Sequence, residues 1–160
     1  MKKAVDIITD SMHLGERILV YGDYDADGVT ATSILVRYFR LHNCNVDYIV
    51  PHRAEHGYGL TDNIMEKIME KKPNLLITVD CGITNIDTVQ TIRAAGVKVI
   101  VTDHHNVKDE LPAAEAVICA KREDNTYPCK DLCGAGVALK LVEALGRDGR
   151  QYSQHRHRHR

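Results

Sequence analysis

Acidic and histidine side chains are concentrated directly after three apolar runs of this 160-residue sequence. Carboxylates and imidazoles bind divalent metal ions and move protons in hydrolytic reactions. Carboxylates forced into one small space repel each other unless cations neutralise them, so a convergent set favours divalent metal. The residues are Asp23, Asp25 and Asp27 after Arg17–Tyr21, Asp80 after Leu75–Val79, and Asp103, His104 and His105 after Val97–Val101.

Each cluster taken alone also has an ordinary structural interpretation. The acidic stretch from Asp23 to Asp27 could be a calcium loop or a solvated turn, although it lacks the continuation of an EF-hand loop. Asp80 could be an acid at a helix N-terminus, and His104 and His105 could be surface histidines. The interpretation as a site therefore depends on whether the fold brings the three clusters together.

The hydrophobic pattern predicts an α/β fold with a parallel sheet flanked by helices on both faces. The predicted strands are apolar throughout, which is typical of strands covered on both sides. In such a sheet, ligands bind at the carboxyl ends of the strands, where the three clusters lie. The predicted strands are 17–21, 45–50, 75–79, 97–101 and 116–119; the predicted helices are 28–42, 63–72, one from Ile86 that stops at Gly96, and one containing Val137, Leu141 and Leu145.

The ligand types favour particular metals. Carboxylate oxygens combined with an imidazole suit Mn²⁺ or Mg²⁺ more than zinc, which favours cysteine and histidine. Two such ions roughly 4 Å apart would activate a water molecule and hold the oxygens of a phosphoryl group. The five cysteines are irregularly spaced and predict reduced thiols, with a zinc site that includes Cys129 and Cys133 as the alternative.

Composition and charge limit the classes of protein to which this chain could belong. No stretch approaches ~18 consecutive apolar residues, so we expect no membrane span and a cytoplasmic protein. The last six residues, 155–160, alternate histidine and arginine. We interpret residues 151–160 as an engineered or incidental tail, with a basic arm for nucleic acid as the alternative. Without the three tail arginines, 18 basic residues face 22 acidic ones, a net charge of −4, so a polyanionic substrate needs a local basic patch or further protein.

Several strings of the sequence resemble one family. Asp103-His104-His105, together with Asp25-x-Asp27 and Asp80, resembles the DHH phosphoesterase superfamily. Four longer strings resemble its RecJ-type exonuclease branch, and the resemblance covers residues 15–146. It implies Mn²⁺-dependent hydrolysis of single-stranded DNA from the 5′ end in recombination and repair. The strings are Tyr21–Thr30, Gly57–Leu60, Val79–Ile83 and Leu132–Val137.

The resemblance also implies roles for individual residues. It makes Asp25 a ligand of one metal, Asp27 and His104 ligands of the other, and Asp80 the bridge between them. Asp23 would reach a metal or brace its loop. The implied catalytic and phosphate-binding residues are His105, which contacts the scissile phosphate, Asp103, which orients the histidine pair, and Arg53, which binds phosphate.

Three further positions are interpreted against the family pattern. Tyr21 stands where pyrophosphatase relatives place a metal-binding histidine, so that ligand is absent here. The turn Gly134–Gly136 could offer backbone N–H groups to a phosphate or could be a tight turn that needs glycine. A later metal-binding aspartate of the family has no match, because Asp148 lies in a different context.

We therefore expect residues 1–150 to be a DHH phosphoesterase domain truncated before that aspartate, and weak or inactive alone. The expected partner is single-stranded DNA, with single-strand-binding or recombination proteins as further candidates. The alternatives within the superfamily are an oligoribonuclease, a phosphonucleotide phosphatase and a pyrophosphatase. An inactive fragment that acts only as a binding module is the alternative outside catalysis.

Overall fold

Helices and strands alternate, apart from two successive strands within residues 98–119, in a computed structural model that describes residues 1–51, 60, 62–108 and 110–148. Two strands, β3 and β5, have the bounds that the sequence predicts, and the other predicted elements are shifted by a few residues. The elements are α1 (Lys2–His13), β1 (Ile18–Gly22), α2 (Ala26–Leu41), β2 (Val46–Ile49), α3 (Asp62–Glu70), β3 (Leu75–Val79), α4 (Ile86–Ala94), β4 (Lys98–Asp103), β5 (Ala116–Cys119) and α5 (Gly134–Asp148).

The described strands form one parallel sheet in the order β2-β1-β3-β4-β5. The predicted α/β class with a parallel sheet is therefore confirmed. The three strands that end in acidic clusters, β1, β3 and β4, are neighbours at the centre of the sheet. Because parallel strands end at the same edge, this order brings the three clusters to one place.

Helices cover both faces of the sheet, as predicted. Ile18 and Val20 of β1 pack in a core with α1, α2 and α5. Leu19 and Tyr21 point to the other face and pack with residues of α3 and α4. Every position of β1 and β3 is buried, so both faces of these strands require apolar residues. This explains why their sequences do not alternate between apolar and polar residues.

Among the described elements, helix α1 is the one that the sequence patterns do not predict. Its buried face includes Ala4 and Ser11 beside Val5, Ile8 and Met12, so a small and a polar residue interrupt the apolar stripe. Its N-cap residue, Met1, makes no side-chain capping hydrogen bond, so the usual start signal is missing as well. Packing against the sheet therefore stabilises α1 more than its local sequence signals do.

Two other expectations can be compared with the structure. Gly96 follows α4 with φ +89°, which is the left-handed conformation expected of a C-terminal glycine. Among the described residues, no helix is both long and apolar enough to cross a membrane.

Candidate metal centre

The loop between β1 and α2 holds its first two aspartates through hydrogen bonds from backbone amides. Asp23 is 5% exposed, and its Oδ1 accepts a 2.7 Å hydrogen bond from the Tyr24 amide. Asp25 is the N-cap of α2, and its Oδ1 accepts a 2.8 Å hydrogen bond from the Gly28 amide. A Cβ at Gly28 would lie 2.5 Å from the Asp23 carbonyl oxygen, so the loop needs glycine there. The helix start thus fixes both carboxylates at the sheet edge.

Asp80, directly after β3, combines an unusual backbone with an unsatisfied side chain. Its φ of +60° is in the left-handed region, which is uncommon for a residue other than glycine and is concentrated at functional sites. Its side chain is 1% exposed, and its Oδ1 accepts no hydrogen bond. Nε2 of His104 lies 2.9 Å from that oxygen, but the approach does not have hydrogen-bond geometry. A buried oxygen in this condition is what a bound cation would satisfy.

Asp103, the last residue of β4, holds the two histidines. Its Oδ1 accepts from the amides of His104 at 2.7 Å and His105 at 3.0 Å, and it lies 2.7 Å from Nδ1 of His105. Its Oδ2 accepts from the Ile83 amide at 2.9 Å, which ties the loop after β3 to the end of β4. With a side chain that is 1% exposed, Asp103 is a buried support for the pair.

Most of the predicted ligands converge in two overlapping groups. In each group, one ligand atom from every residue lies within 4.8 Å of the others. Asp80 belongs to both groups, which is the arrangement that the predicted bridging role requires. The groups are Asp23, Asp25 and Asp80, and Asp80, His104 and His105. The structure thus places both Asp23 and His105 among the potential ligands.

Asp27 is held differently from the other acids. Its carboxylate accepts hydrogen bonds from the amides of Gly134 at 2.6 Å and Ala135 at 2.8 Å, at the N-terminus of α5. Nε2 of His104 is 3.6 Å from Asp27 Oδ2, so Asp27 still borders the site. The Gly136 amide donates to Cys133 Sγ at 3.4 Å. The three amides considered for phosphate already have acceptors, which favours the structural interpretation of this turn.

The acids of the site have opposite electrostatic environments. Burial raises the Asp80 pKa to about 7, and the carboxylates of Asp27 and Asp25 add to this shift. Burial also raises the Asp23 pKa, assisted by Asp25. For Asp27, burial opposes ionisation, but hydrogen bonds from Ala135, Gly134 and Cys133 outweigh it and hold the pKa below its usual range. Asp80 is therefore the acid that most needs a cation to ionise at neutral pH.

The donor set fits the predicted ions. It consists of carboxylate oxygens and imidazole nitrogens around one buried, unsatisfied oxygen, a combination suited to Mn²⁺ or Mg²⁺. Within the described residues, neither potential metal group contains a cysteine, and all five cysteines are free thiols. The alternative of a zinc site with Cys129 and Cys133 therefore gains no support from the structure.

Sequence reasoning did not identify the contact between Asp27 and the start of α5. A signal was present in the Cys133-Gly-Ala-Gly136 string, because glycines at a helix start permit close approach of another group. Tyr21 is buried with its pKa raised by burial, so its phenol stays neutral and is a poor metal ligand. Arg53, the predicted phosphate-binding residue, lies outside the described residues.

We predict that Gly134→Ala weakens Mn²⁺ binding at least about tenfold and destabilises the fold by about 1–3 kcal/mol, the usual cost of overpacking. The new Cβ would lie 2.6 Å from both Cβ and Oδ1 of Asp80, so the bridging carboxylate or the helix start must move. Calorimetric titration with Mn²⁺ and urea unfolding measure the two effects.

Gly146→Ala is the matched control for that variant. It lies in the same helix, and nothing approaches its added Cβ within 4 Å. We expect unchanged Mn²⁺ affinity and a small gain in stability, about 0.5–1 kcal/mol. Equal Mn²⁺ affinity in both variants would show that the contact between Gly134 and Asp80 is irrelevant to the site.

The fold and the site together define a metal-binding α/β domain whose centre lies at the carboxyl edge of a parallel sheet. The chain belongs to the DHH family: the profile of "DHH family, N-terminal domain" matches residues 17–159. It is similar to the single-stranded-DNA-specific exonuclease RecJ of Escherichia coli K12, with 44% identity over 146 residues, which is 91% of this chain and 25% of that protein. The RecJ of Thermus thermophilus is 40% identical over 147 residues, 91% of this chain and 21% of that protein.

Solved structures agree with these relationships. An exonuclease RecJ bound to manganese superposes with a TM-score of 0.83 at 38% identity, covering 91% of this chain and 37% of that one. RecJ of Thermus thermophilus in complex with Mn²⁺ gives a TM-score of 0.74 at 36% identity, covering 91% of this chain and 20% of that one. The chain spans about a quarter of the length of the curated relatives it matches.

Proposed function

We propose that this chain is the metal-binding catalytic domain of an exonuclease that hydrolyses phosphodiester bonds of single-stranded DNA. The observation that carries the proposal is Asp80, a buried carboxylate that belongs to two potential metal groups and whose Oδ1 accepts no hydrogen bond. The names of the relatives support the choice of substrate, since those of E. coli and B. subtilis are both single-stranded-DNA-specific exonucleases.

The proposed cofactors are two Mn²⁺ or Mg²⁺ ions. Asp25, with Asp23 beside it, would hold one ion, Asp27 and His104 the other, and Asp80 both. When bound, the ions would activate a water molecule and neutralise charge on the oxygens of the scissile phosphate. The Mn²⁺-bound relatives support the choice of metal. The position of Asp27 at the start of α5 suits a role at the rim of the second group.

His105 is the proposed contact to the scissile phosphate. Because an ionised carboxylate only accepts hydrogen bonds, the contact at 2.7 Å to Asp103 places the hydrogen on Nδ1 of His105. Nε2 then lies on the opposite side of the ring, where a protonated imidazole donates a hydrogen bond to an anionic oxygen. Asp103 fixes the ring and the two backbone amides, so its proposed role is to orient the pair. Arg53 stays a proposed phosphate-binding residue.

The proposed organisation is a DHH domain over residues 1–150 and a tail over 151–160. The resemblance supports a cytoplasmic location and single-strand-binding or recombination proteins as partners. Because the chain spans about a quarter of its curated relatives, we propose that it hydrolyses DNA slowly without further protein. Residues 1–150 also carry an excess of negative charge, which weakens their attraction for a polyanion.

The test is digestion of an end-labelled single-stranded DNA oligomer with Mn²⁺ at low salt, beside a short RNA and pyrophosphate. We expect DNA to be the preferred substrate, and a version extended to the length of the relatives to be at least about tenfold faster, as expected from added phosphate contacts. Preference for RNA or pyrophosphate in the extended version would instead support another branch of the superfamily. Equal rates for the two lengths would contradict the need for further protein.

A further inference from the structure

A groove between the outer face of α2 and strand β2 is not explained by the metal centre. It has a volume of about 580 Å³, and its lining includes Val29, Ser33, Arg37, Arg40, Tyr48 and Val50. Strand β2 is an edge strand among the described strands, so nothing described covers this side of the sheet. Val29, at 43%, and Tyr48, at 48%, are large hydrophobic residues with unusually exposed side chains. The groove is therefore an accessible surface with an apolar floor.

The groove starts at the edge of the sheet that carries the acidic clusters. Val29 lies in the first turn of α2, whose N-cap is Asp25, and Val50 follows the carboxyl end of β2. From Val29 the exposed stripe continues through Ser33 and Arg37 to Arg40, at spacings of four, four and three residues, which lie on one helix face. At 1.5 Å per residue, the stripe is about 16 Å long. It runs along most of α2, the helix whose N-cap is Asp25.

The charge of the groove has one sign. Arg37 and Arg40 are its only charged lining residues in the described part of the chain, and both are exposed. Neither forms an ion pair with a carboxylate of the described residues. The Arg40 guanidinium lies 5.9 Å over the ring centroid of Tyr48, which places a cation beside an exposed aromatic ring. On a domain with excess acidic charge, such a surface attracts anions that also have flat apolar parts.

We propose that this groove binds the uncleaved part of the single-stranded nucleic acid, with a base stacked on Tyr48 and phosphates held by Arg37 and Arg40. Binding sites for single strands combine a basic groove with aromatic platforms in this way. The inference rests on the proposed function for the identity of the ligand. A protein segment would use the same apolar floor, but it would not require two arginines without carboxylate partners beside an aromatic ring.

The test must be resolved by residue, because the sequence 155–160 also carries cations. A nitrogen-15-labelled full chain is titrated with an oligothymidylate single strand at low salt with a chelator, so that hydrolysis does not occur. We expect amide shifts concentrated on the exposed stripe of α2 and on β2. Absence of shifts there, whether they occur elsewhere or nowhere, overturns the proposal.

Two variants and one control measure the contributions. Arg37→Glu/Arg40→Glu should weaken binding at least about tenfold and lower the slope of log K against log salt by about 1.4, the value for two phosphate contacts to a single strand. Tyr48→Ala should weaken binding of the oligonucleotide about tenfold while leaving binding of inorganic polyphosphate unchanged, because polyphosphate has no bases to stack. Equal losses for both probes would overturn the stacking role.

The matched control is Lys3→Glu/Lys121→Glu, which changes the net charge equally. Both lysines are exposed: one lies on α1, which contacts β5, and the other follows β5, the edge strand opposite β2. If the control weakens binding as much as the arginine variant, only the total charge matters and the groove is excluded. Thermal unfolding of each variant verifies that it folds.

Hydrolysis separates this inference from the proposed function. Asp80→Asn should bind the oligonucleotide in the groove but not cleave it. If the wild type cleaves DNA but the groove variants bind the oligonucleotide as well as the wild type does, the proposed binding groove is wrong and the proposed function is retained. If the groove variants weaken binding but no version of the chain cleaves DNA at any length, the proposed exonuclease function is wrong and the proposed binding groove is retained.

Discussion

Substitution of Asp80 by asparagine is expected to abolish Mn²⁺ binding and to raise the free energy of unfolding of the metal-free protein at about pH 8. Asparagine is nearly isosteric with aspartate but carries no charge, so it removes the shared ligand and the buried carboxylate together. The same change therefore removes metal binding and also removes the destabilisation that a buried carboxylate causes in the metal-free fold. Such opposite effects on function and stability are typical of functional residues.

The sign of the pH dependence follows from the raised pKa. The folded protein holds the Asp80 proton up to about pH 7, whereas the unfolded chain loses it near its ordinary value of 3.8. Between these values the folded state binds more protons, so the stability of the metal-free wild type falls as pH rises. The total loss attributable to Asp80 is roughly 4 kcal/mol, and it is complete above the folded pKa. Asp23, whose pKa is also raised, contributes in the same direction.

The measurement is urea unfolding in a chelator from about pH 5 to pH 8.5, repeated with Mn²⁺ at the upper end. Wild type should lose stability as pH rises and regain it with Mn²⁺, whereas Asp80→Asn should show a much smaller loss and no response to metal. Asp10→Asn, an exposed position on α1, is the control and should behave as wild type. A stability that rises with pH in metal-free wild type would refute the assignment of Asp80 as the destabilising acid.

His105→Ala is expected to lower turnover by ~10²-fold or more, the usual cost of losing one donor that stabilises a transition state. The physical reason is the division of the histidine pair: Nε2 of His104 faces the carboxylates of Asp80 and Asp27, whereas Nδ1 of His105 faces Asp103. Metal affinity should therefore stay within a few fold in His105→Ala and fall much further in His104→Ala.

Mn²⁺ titration is measured on this chain, and turnover on the version extended to the length of its relatives. Because Asp80, His104 and His105 form one of the two potential metal groups, the experiment also tests the alternative that His105 is a ligand. Equal loss of Mn²⁺ affinity in the two alanine variants would favour that alternative and reject the separate roles.

The sheet could be predicted from sequence because its strands are uniform. Leu75–Val79 is apolar at nearly every position and is buried at every position, so its pattern and its environment agree. The convergence of Asp80 with Asp103 then follows from the parallel order alone. By contrast, the contact between Asp27 and the amides of Gly134 and Ala135 joins residues more than 100 positions apart and has no periodic signal.

The backbone conformation at the site is the other feature that the sequence did not predict. The left-handed φ of Asp80 is disfavoured locally, and the surrounding fold maintains it, with a 3.0 Å hydrogen bond from its amide to the Thr102 carbonyl oxygen. Helix α1 likewise depends on tertiary contacts and not on its own start signals. Sequence patterns report local preferences, so they miss features in which the fold overrides them.

The central position of β1, β3 and β4 also has a consequence for the order of folding. Strand β1 pairs directly with β3, although α2, β2 and α3 separate them in the chain. Closing so long a loop costs entropy before the pairing returns any stability, so this step is slow compared with formation of the local β3–α4–β4 unit. The ligands of the first loop meet Asp80 only after that step. An ion held by Asp23, Asp25 and Asp80 therefore marks a chain in which β1 has already paired with β3, whereas Asp80, His104 and His105 all directly follow strands of the local unit.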